Sequence, residues 1–129
     1  ALYGPEGYRM REALALDRVA GRHDAVVLEA AGGIVAEPDT FAVLTERFHT
    51  IWIRTTPEEH MARVRAQGDL RPMAGNAQAM DQLRDILRSR EPLYGRASAR
   101  LDTSGITREA ALAALTALVE REGFLRSEP

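Results

Sequence analysis

The chain has 129 residues, 45% of them apolar and 28% charged, with a formal net charge of -2 at pH 7. That length and balance suit a single globular domain, residues 1–129, and exclude a disordered tail or a general polyanion-binding surface. There is no cysteine, so disulfides and thiolate chemistry are excluded, and no apolar run approaches the roughly 20 residues that cross a bilayer.

Taken in order, the first pattern is helical. Met10, Ala13, Leu14, Leu16 and Val19 recur near a 3.6-residue period from Tyr8 to about Arg22, and Gly21 marks the end. Ala25–Ala30 is a short apolar run that reads as a buried strand, and Ala31-Gly32-Gly33 follows as a tight turn. Pro38 and Asp39 open a helix reaching Arg47, and His49–Arg54, rich in β-branched and aromatic residues, reads as a second strand. Thr56-Pro57-Glu58-Glu59 is a helix start with a capping threonine, a first-turn proline and a capping-box acid. That helix runs to about Ala66. A loop over Gln67–Gly75 leads to a long helix that starts near Asn76 and should stop before Pro92, because a residue preceding proline avoids the helical region. A third strand spans Ala97–Leu101, and Thr107 caps a last helix through Glu120. Strands joined through helices predict an α/β fold, a parallel sheet with flanking helices.

Ligands of such sheets bind at the carboxyl ends of strands, which draws attention to Gly32 and Gly33. A glycine pair lets backbone N–H groups approach a hydroxyl or phosphate, although it is also an ordinary strand-to-helix turn. Arg9 follows Gly4-Pro5-Glu6-Gly7, Arg71 precedes Pro72, and Arg90 ends the long helix. Singly, each reads as a solvated side chain, and Arg90 also suits a helix C-terminus. All 17 basic residues are arginine, so the chain cannot supply the Gly-Lys-Ser/Thr of a Walker-type phosphate loop. His23, His49 and His60 are too scattered for a metal site.

In combination these motifs resemble the shikimate kinase family over nearly the whole chain. Glu6-Gly7-Tyr8-Arg9-Met10-Arg11-Glu12 is similar to its Glu-Gly-Phe-Arg element, Ala31-Gly32-Gly33 to its glycine turn, and Gly68-Asp69-Leu70-Arg71-Pro72-Met73 to its lid. Arg90-Glu91-Pro92-Leu93-Tyr94 resembles its Arg-x-Pro-Leu-Tyr element, and Asp102-Thr103-Ser104 its Asp-Thr near the adenine pocket. The resemblance implies that Arg9 and Arg90 hold the shikimate carboxylate, and that Gly32 and Gly33 touch its hydroxyls. It also implies that Arg71 faces phosphates and that Arg65 lies near the adenine. ATP and magnesium are the family's cofactors; none is expected in this chain by itself, nor any catalytic or metal-binding residue.

The wording of Tyr3–Tyr8, Gly33–Pro38 and Glu59–Asp69 is closer to bacterial regulators that join a helix-turn-helix to a shikimate-kinase-like domain. That likeness implies an effector-sensing domain for an aromatic acyl-CoA, notably benzoyl-CoA, in a cytoplasmic regulator of benzoate catabolism. DNA would be bound only through a domain absent here. The alternative is a fragment of a shikimate kinase. In either case the fold is an incomplete P-loop kinase fold lacking its N-terminal strand and P-loop. The missing strand should lie between those read at Ala25–Ala30 and His49–Arg54, leaving unpaired backbone groups and an apolar trench. Self-association as a homo-oligomer, or rearrangement, is the expected result.

Overall fold

The computed structural model describes residues 4–22, 25–66 and 77–125, with the side chains of 4–10 and 77 left out of account. The chain runs α1 (Gly4–Arg22), a 3-10 helix (Gly32–Ala36), α2 (Pro38–Arg47), β1 (Ile51–Arg54), α3 (Pro57–Ala66), α4 (Ala77–Tyr94), β2 (Ala99–Asp102) and α5 (Arg108–Glu122). This is the expected α/β arrangement, with a small parallel sheet flanked by helices.

The sheet has two strands among the described residues. β1 pairs in parallel with β2, Ile51 opposite Ala99 and Arg54 opposite Asp102. Backbone bonds extend the ladder at both ends: Ala99 donates to the Thr50 carbonyl at 3.1 Å, and Thr103 to the Arg54 carbonyl at 2.9 Å. The start is pinned twice more. The Thr50 N–H donates to Ser98 Oγ, and the Ser98 N–H to Thr50 Oγ1, both at 3.0 Å.

The strand expected at Ala25–Ala30 does not form. These residues have irregular backbone, and Val27 is 87% exposed. A strand needs a neighbouring row of donors and acceptors, and β1 is paired to β2, not to this segment. Composition set the propensity, but no partner among the described residues completes it.

Proline placement explains two helix starts. Pro38 and Pro57 each take the first position of their helix, where a missing N–H costs nothing. Thr56 caps α3 as expected, its Oγ1 accepting from the Glu59 N–H at 3.2 Å. Thr107 does the same for α5 through Ala110, at 3.1 Å. The capping-box role expected of Glu59 is replaced by another: its carboxylate accepts from Thr55 Oγ1 and from the Gly105 N–H.

The expected stop before Pro92 is also corrected, because α4 continues through it to Tyr94. One proline removes one helical bond, and the chain makes good the last turn by other means. Gly95 donates to the Glu91 carbonyl at 2.9 Å, and tighter bonds from Arg96 to Leu93 and from Ala97 to Tyr94 follow.

The main core lies where α1, the 3-10 helix and α2 meet. Leu16, Ile34, Val35, Phe41 and Leu44 are buried, with Val43, Phe48, Leu93 and Tyr94 packed against them. An ion pair between Arg47 and Asp17 ties α2 to α1 at the surface. Thr40 and Thr103 are the buried polar residues, and among the described residues no helix is long and apolar enough to cross a membrane.

Candidate functional site

The glycine turn is held from below. Ile34 and Val35 bury their side chains in the core, and the Ile34 N–H donates to the Ala31 carbonyl at 3.0 Å, closing the first turn of the 3-10 helix. Gly32 and Gly33 therefore sit at the open end of an anchored segment. Both approach the end of α4 closely. A Cβ on Gly32 would lie 3.1 Å from Tyr94 Oη, and one on Gly33 would lie 3.6 Å from Arg90 Nη2. Gly32 is the tighter place, where only a hydrogen fits without moving a neighbour.

Two residues of α4 thus meet the turn. Tyr94 donates its hydroxyl to the Gly32 carbonyl at 2.9 Å, and its ring stacks on Trp52 of β1 with centroids 5.5 Å apart. The Arg54 guanidinium lies 5.0 Å from the other ring of this stack, that of Trp52. Arg90, half-buried, makes no hydrogen bond or ion pair among the described residues. A guanidinium of fixed charge beside Gly33, with its donors unspent among the described residues, is a place for a planar anion.

Gly32 and Tyr94 also line a cavity of about 810 Å³, whose walls include Leu28, Val35, Phe41, Ile51 and Trp52. It lies between the 25–30 segment and β1, and charged side chains, Glu29, Arg54, Arg84, Arg88 and Glu91, line it as well.

Of the sequence-predicted residues, the structure brings Gly32, Gly33 and Arg90 together. Arg65 is exposed near the end of α3, away from that cluster of named contacts. Arg9 falls on α1 with its side chain outside the described residues, and Arg71, with the rest of the lid motif, lies outside them altogether. Trp52 and Tyr94 were missed as site residues, although Tyr94 closes the Arg90–Tyr94 motif.

A second polar cluster, also missed, joins α3 to the end of β2. Arg63 donates to Thr103 Oγ1 at 3.1 Å and to the Thr103 carbonyl at 3.2 Å, while pairing with Glu59 one turn earlier. Thr103 Oγ1 in turn donates to the Arg54 carbonyl at 3.0 Å. The signal available in the sequence was the four-residue spacing of Glu59 and Arg63. Next to it, the Asp102 carboxylate is held below its ordinary pKa by hydrogen bonding from Ser104, first its side chain and then its N–H at 2.9 Å, assisted by Arg54 and Arg100. Glu58 is likewise held low, by its hydrogen bond to Arg84.

The donor side of a phosphoryl transfer is not assembled from these residues. The chain has no lysine for a phosphate loop, and no three metal-ligating side chains converge among the described residues. They do not fit a nucleotide with its magnesium, so no step is derived through that group.

Comparisons with known proteins agree on one family. A family model described as shikimate kinase matches residues 1–120. A shikimate kinase from a Synechococcus strain is 33% identical over 102 residues, covering 79% of this chain and 51% of that protein. The shikimate kinase of Parasynechococcus marenigrum is 29% identical over 126 residues, covering 98% of this chain and 63% of its own. Among solved structures, the Acinetobacter baumannii shikimate kinase in complex with shikimate is similar with a TM-score of 0.68 and 28% identity, over 92% of this chain and 66% of that one. The chain therefore spans about half to two thirds of the length of these relatives. They overturn the expectation of an effector-sensing regulator domain for benzoyl-CoA, since the matched relatives are named shikimate kinase. Short motifs around a shared acceptor site do not separate an enzyme from regulators that carry the same fold, and the longer matches favour the alternative.

Proposed function

The chain belongs to the shikimate kinase family, and we propose that it forms the acceptor-binding part of a shikimate kinase, an enzyme that transfers the γ-phosphate of ATP to the 3-hydroxyl of shikimate. The observation that carries this reading is the placement of half-buried Arg90 against Gly33, with Tyr94 fastened to Gly32. Support comes from the Acinetobacter relative, whose structure holds shikimate.

The roles follow from chemistry. The fork of Arg90 presents parallel N–H donors that match a carboxylate, and Arg9 would supply a second cation. Backbone groups of Gly32 and Gly33, bare of side chains, would meet ring hydroxyls and fix which one faces the phosphate. Arg71 and Arg65 are assigned to the nucleotide side, Arg71 toward phosphates and Arg65 toward the adenine. Transfer itself rests on positioning and charge neutralisation at the γ-phosphate. That work needs a phosphate-binding loop that the residues of this chain do not contain, so the assignment here is to acceptor binding.

Titration calorimetry of this chain with shikimate tests the reading. Saturable binding is expected, and Arg90→Ala should weaken it by about 1.5–3 kcal/mol, the loss of a charge-assisted bond from a partly buried site. Arg90→Lys should weaken it too, because an ammonium lacks the fork. Parent-like binding by the lysine variant would sink the carboxylate assignment.

A further inference from the structure

We propose that Tyr94 is a positioning residue that locks the Gly32–Gly33 peptide plane, and so aims the Gly33 N–H at the acceptor. The proposal rests on the acceptor-binding reading and deepens it. A peptide bond between two glycines is the least constrained unit in the chain, because neither flanking residue carries a Cβ to bias its torsions. Outside regular structure such a plane rotates at little cost. Within the first turn of the 3-10 helix it is already restricted, and Tyr94 adds a hold from outside the segment.

Here it is held on one side. The Tyr94 hydroxyl reaches from the end of α4 to the carbonyl of Gly32, 62 residues upstream, at 2.9 Å. A trans peptide is planar, with its C=O and N–H pointing in opposite directions. Fixing the Gly32 carbonyl toward Tyr94 therefore fixes the Gly33 N–H away from it. That N–H makes no backbone bond among the described residues, since the first bond of the turn is the one from Ile34 to Ala31. It remains a donor of set direction, on the residue that Arg90 approaches.

Tyr94 is itself held. Its ring stacks on Trp52 of β1, and the short bonds that close α4 after Pro92 set the backbone from which it projects. The turn, the first strand and the fourth helix thus meet at one phenol. Gly32 fits the same picture: a methyl there would lie 3.1 Å from the hydroxyl and push on the lock.

The test is Tyr94→Phe, which keeps the ring stack and removes only the hydroxyl. Two readouts are taken, the dissociation constant for shikimate and the Gly33 amide resonance in a 15N-labelled sample. The lock predicts affinity weaker by about three- to tenfold, the effect of one ordinary hydrogen bond. It also predicts a shifted or broadened Gly33 resonance while the resonances of α5 stay in place, a local signature that general destabilisation would not produce. An unchanged Gly33 resonance overturns the proposal. If the parent chain does not bind shikimate, the acceptor-binding reading falls, and the Gly33 resonance alone still decides whether the plane is locked. Should Tyr94→Phe fail to fold, Gly32→Ala perturbs the same contact from the other partner, and the same two readouts support or overturn the lock in the same way.

Discussion

The segment 25–30 and the strand Ile51–Arg54 line the same cavity, and both are short apolar runs. Among the described residues only the second is paired in a ladder. Ile51–Arg54 lies beside β2 in parallel register, with extra backbone and side-chain bonds before and after the ladder. The first run has no such neighbour among the described residues, and Val27 stands 87% exposed. The contrast teaches that a strand is a property of a pair. Apolar, β-branched residues fit a pleated surface, but the ladder supplies the bonds that hold the backbone extended. The glycine turn that follows the unpaired run is nonetheless fixed, because Ile34 and Val35 pin it to the helical core. One side of the site thus depends on apolar packing and the other on a hydrogen-bonded pair, and each can be broken separately.

The largest effect should come from the packed side. Phe41 is 6% exposed, sits in the cluster with Ile34 and Val35, and lies 5.6 Å under the Arg96 guanidinium. Phe41→Ala removes a buried ring and leaves a cavity, which costs about 3–5 kcal/mol. Denaturant unfolding should show that loss. A cost below about 1 kcal/mol would mean that this core does not anchor the turn.

On the paired side the expected effect is smaller. Thr103 is 3% exposed, and its hydroxyl gives one bond to the Arg54 carbonyl and takes one from Arg63. Thr103→Val keeps the shape but removes one of the two bonds that the Arg54 carbonyl accepts, and the hydroxyl partner of one Arg63 N–H, at a cost of about 0.5–1.5 kcal/mol. Val27→Thr is the matching change in the unpaired run and should stay within about 0.5 kcal/mol, as exposed substitutions do. Equal losses from the two would show that segment 25–30 is packed in solution after all.

The same contrast explains what the sequence made legible. Helix starts were readable because their causes are local: Pro38, Pro57, Thr56 and Thr107 act within four residues of where they stand. The end of α4 was misread, since the avoidance of the helical region before a proline is a tendency. The helix runs through Pro92 to Tyr94 before bonds from Gly95, Arg96 and Ala97 close it. Pairing is non-local, so the 25–30 run looked like a strand and nothing nearby could say otherwise. Gly32, Gly33 and Arg90 were singled out through motif wording, and the structure places Arg90 beside Gly33. Tyr94 escaped because its partner lies 62 residues away, and Arg63 because an i,i+4 pair with Glu59 reads as an ordinary helix surface. The regulator reading failed for a related reason: its support was local wording, whereas family membership is carried by the whole length of residues 1–120.

The smallest effect sharpens the paired side further. Asp102 ends β2, and its carboxylate is held below its ordinary pKa first by the side chain of Ser104, then by the Ser104 N–H and by the charges of Arg54 and Arg100. A lowered carboxylate pKa stabilises the fold above the ordinary carboxylate range, where the group is charged in both the folded and unfolded chain. That contribution is lost as the pH falls through the ordinary value and then the lowered one. Asp102→Asn keeps an oxygen to accept from Ser104 but cannot titrate. The variant should be slightly less stable than the parent at neutral pH, and the gap should close on acidification, giving a shallower acid limb in a plot of melting temperature against pH. Parallel limbs for the two proteins would mean that Asp102 titrates alike in the folded and unfolded chain. The bond at the end of β2 would then contribute no charge-dependent stability, and the ladder would rest on Thr103 and the backbone alone.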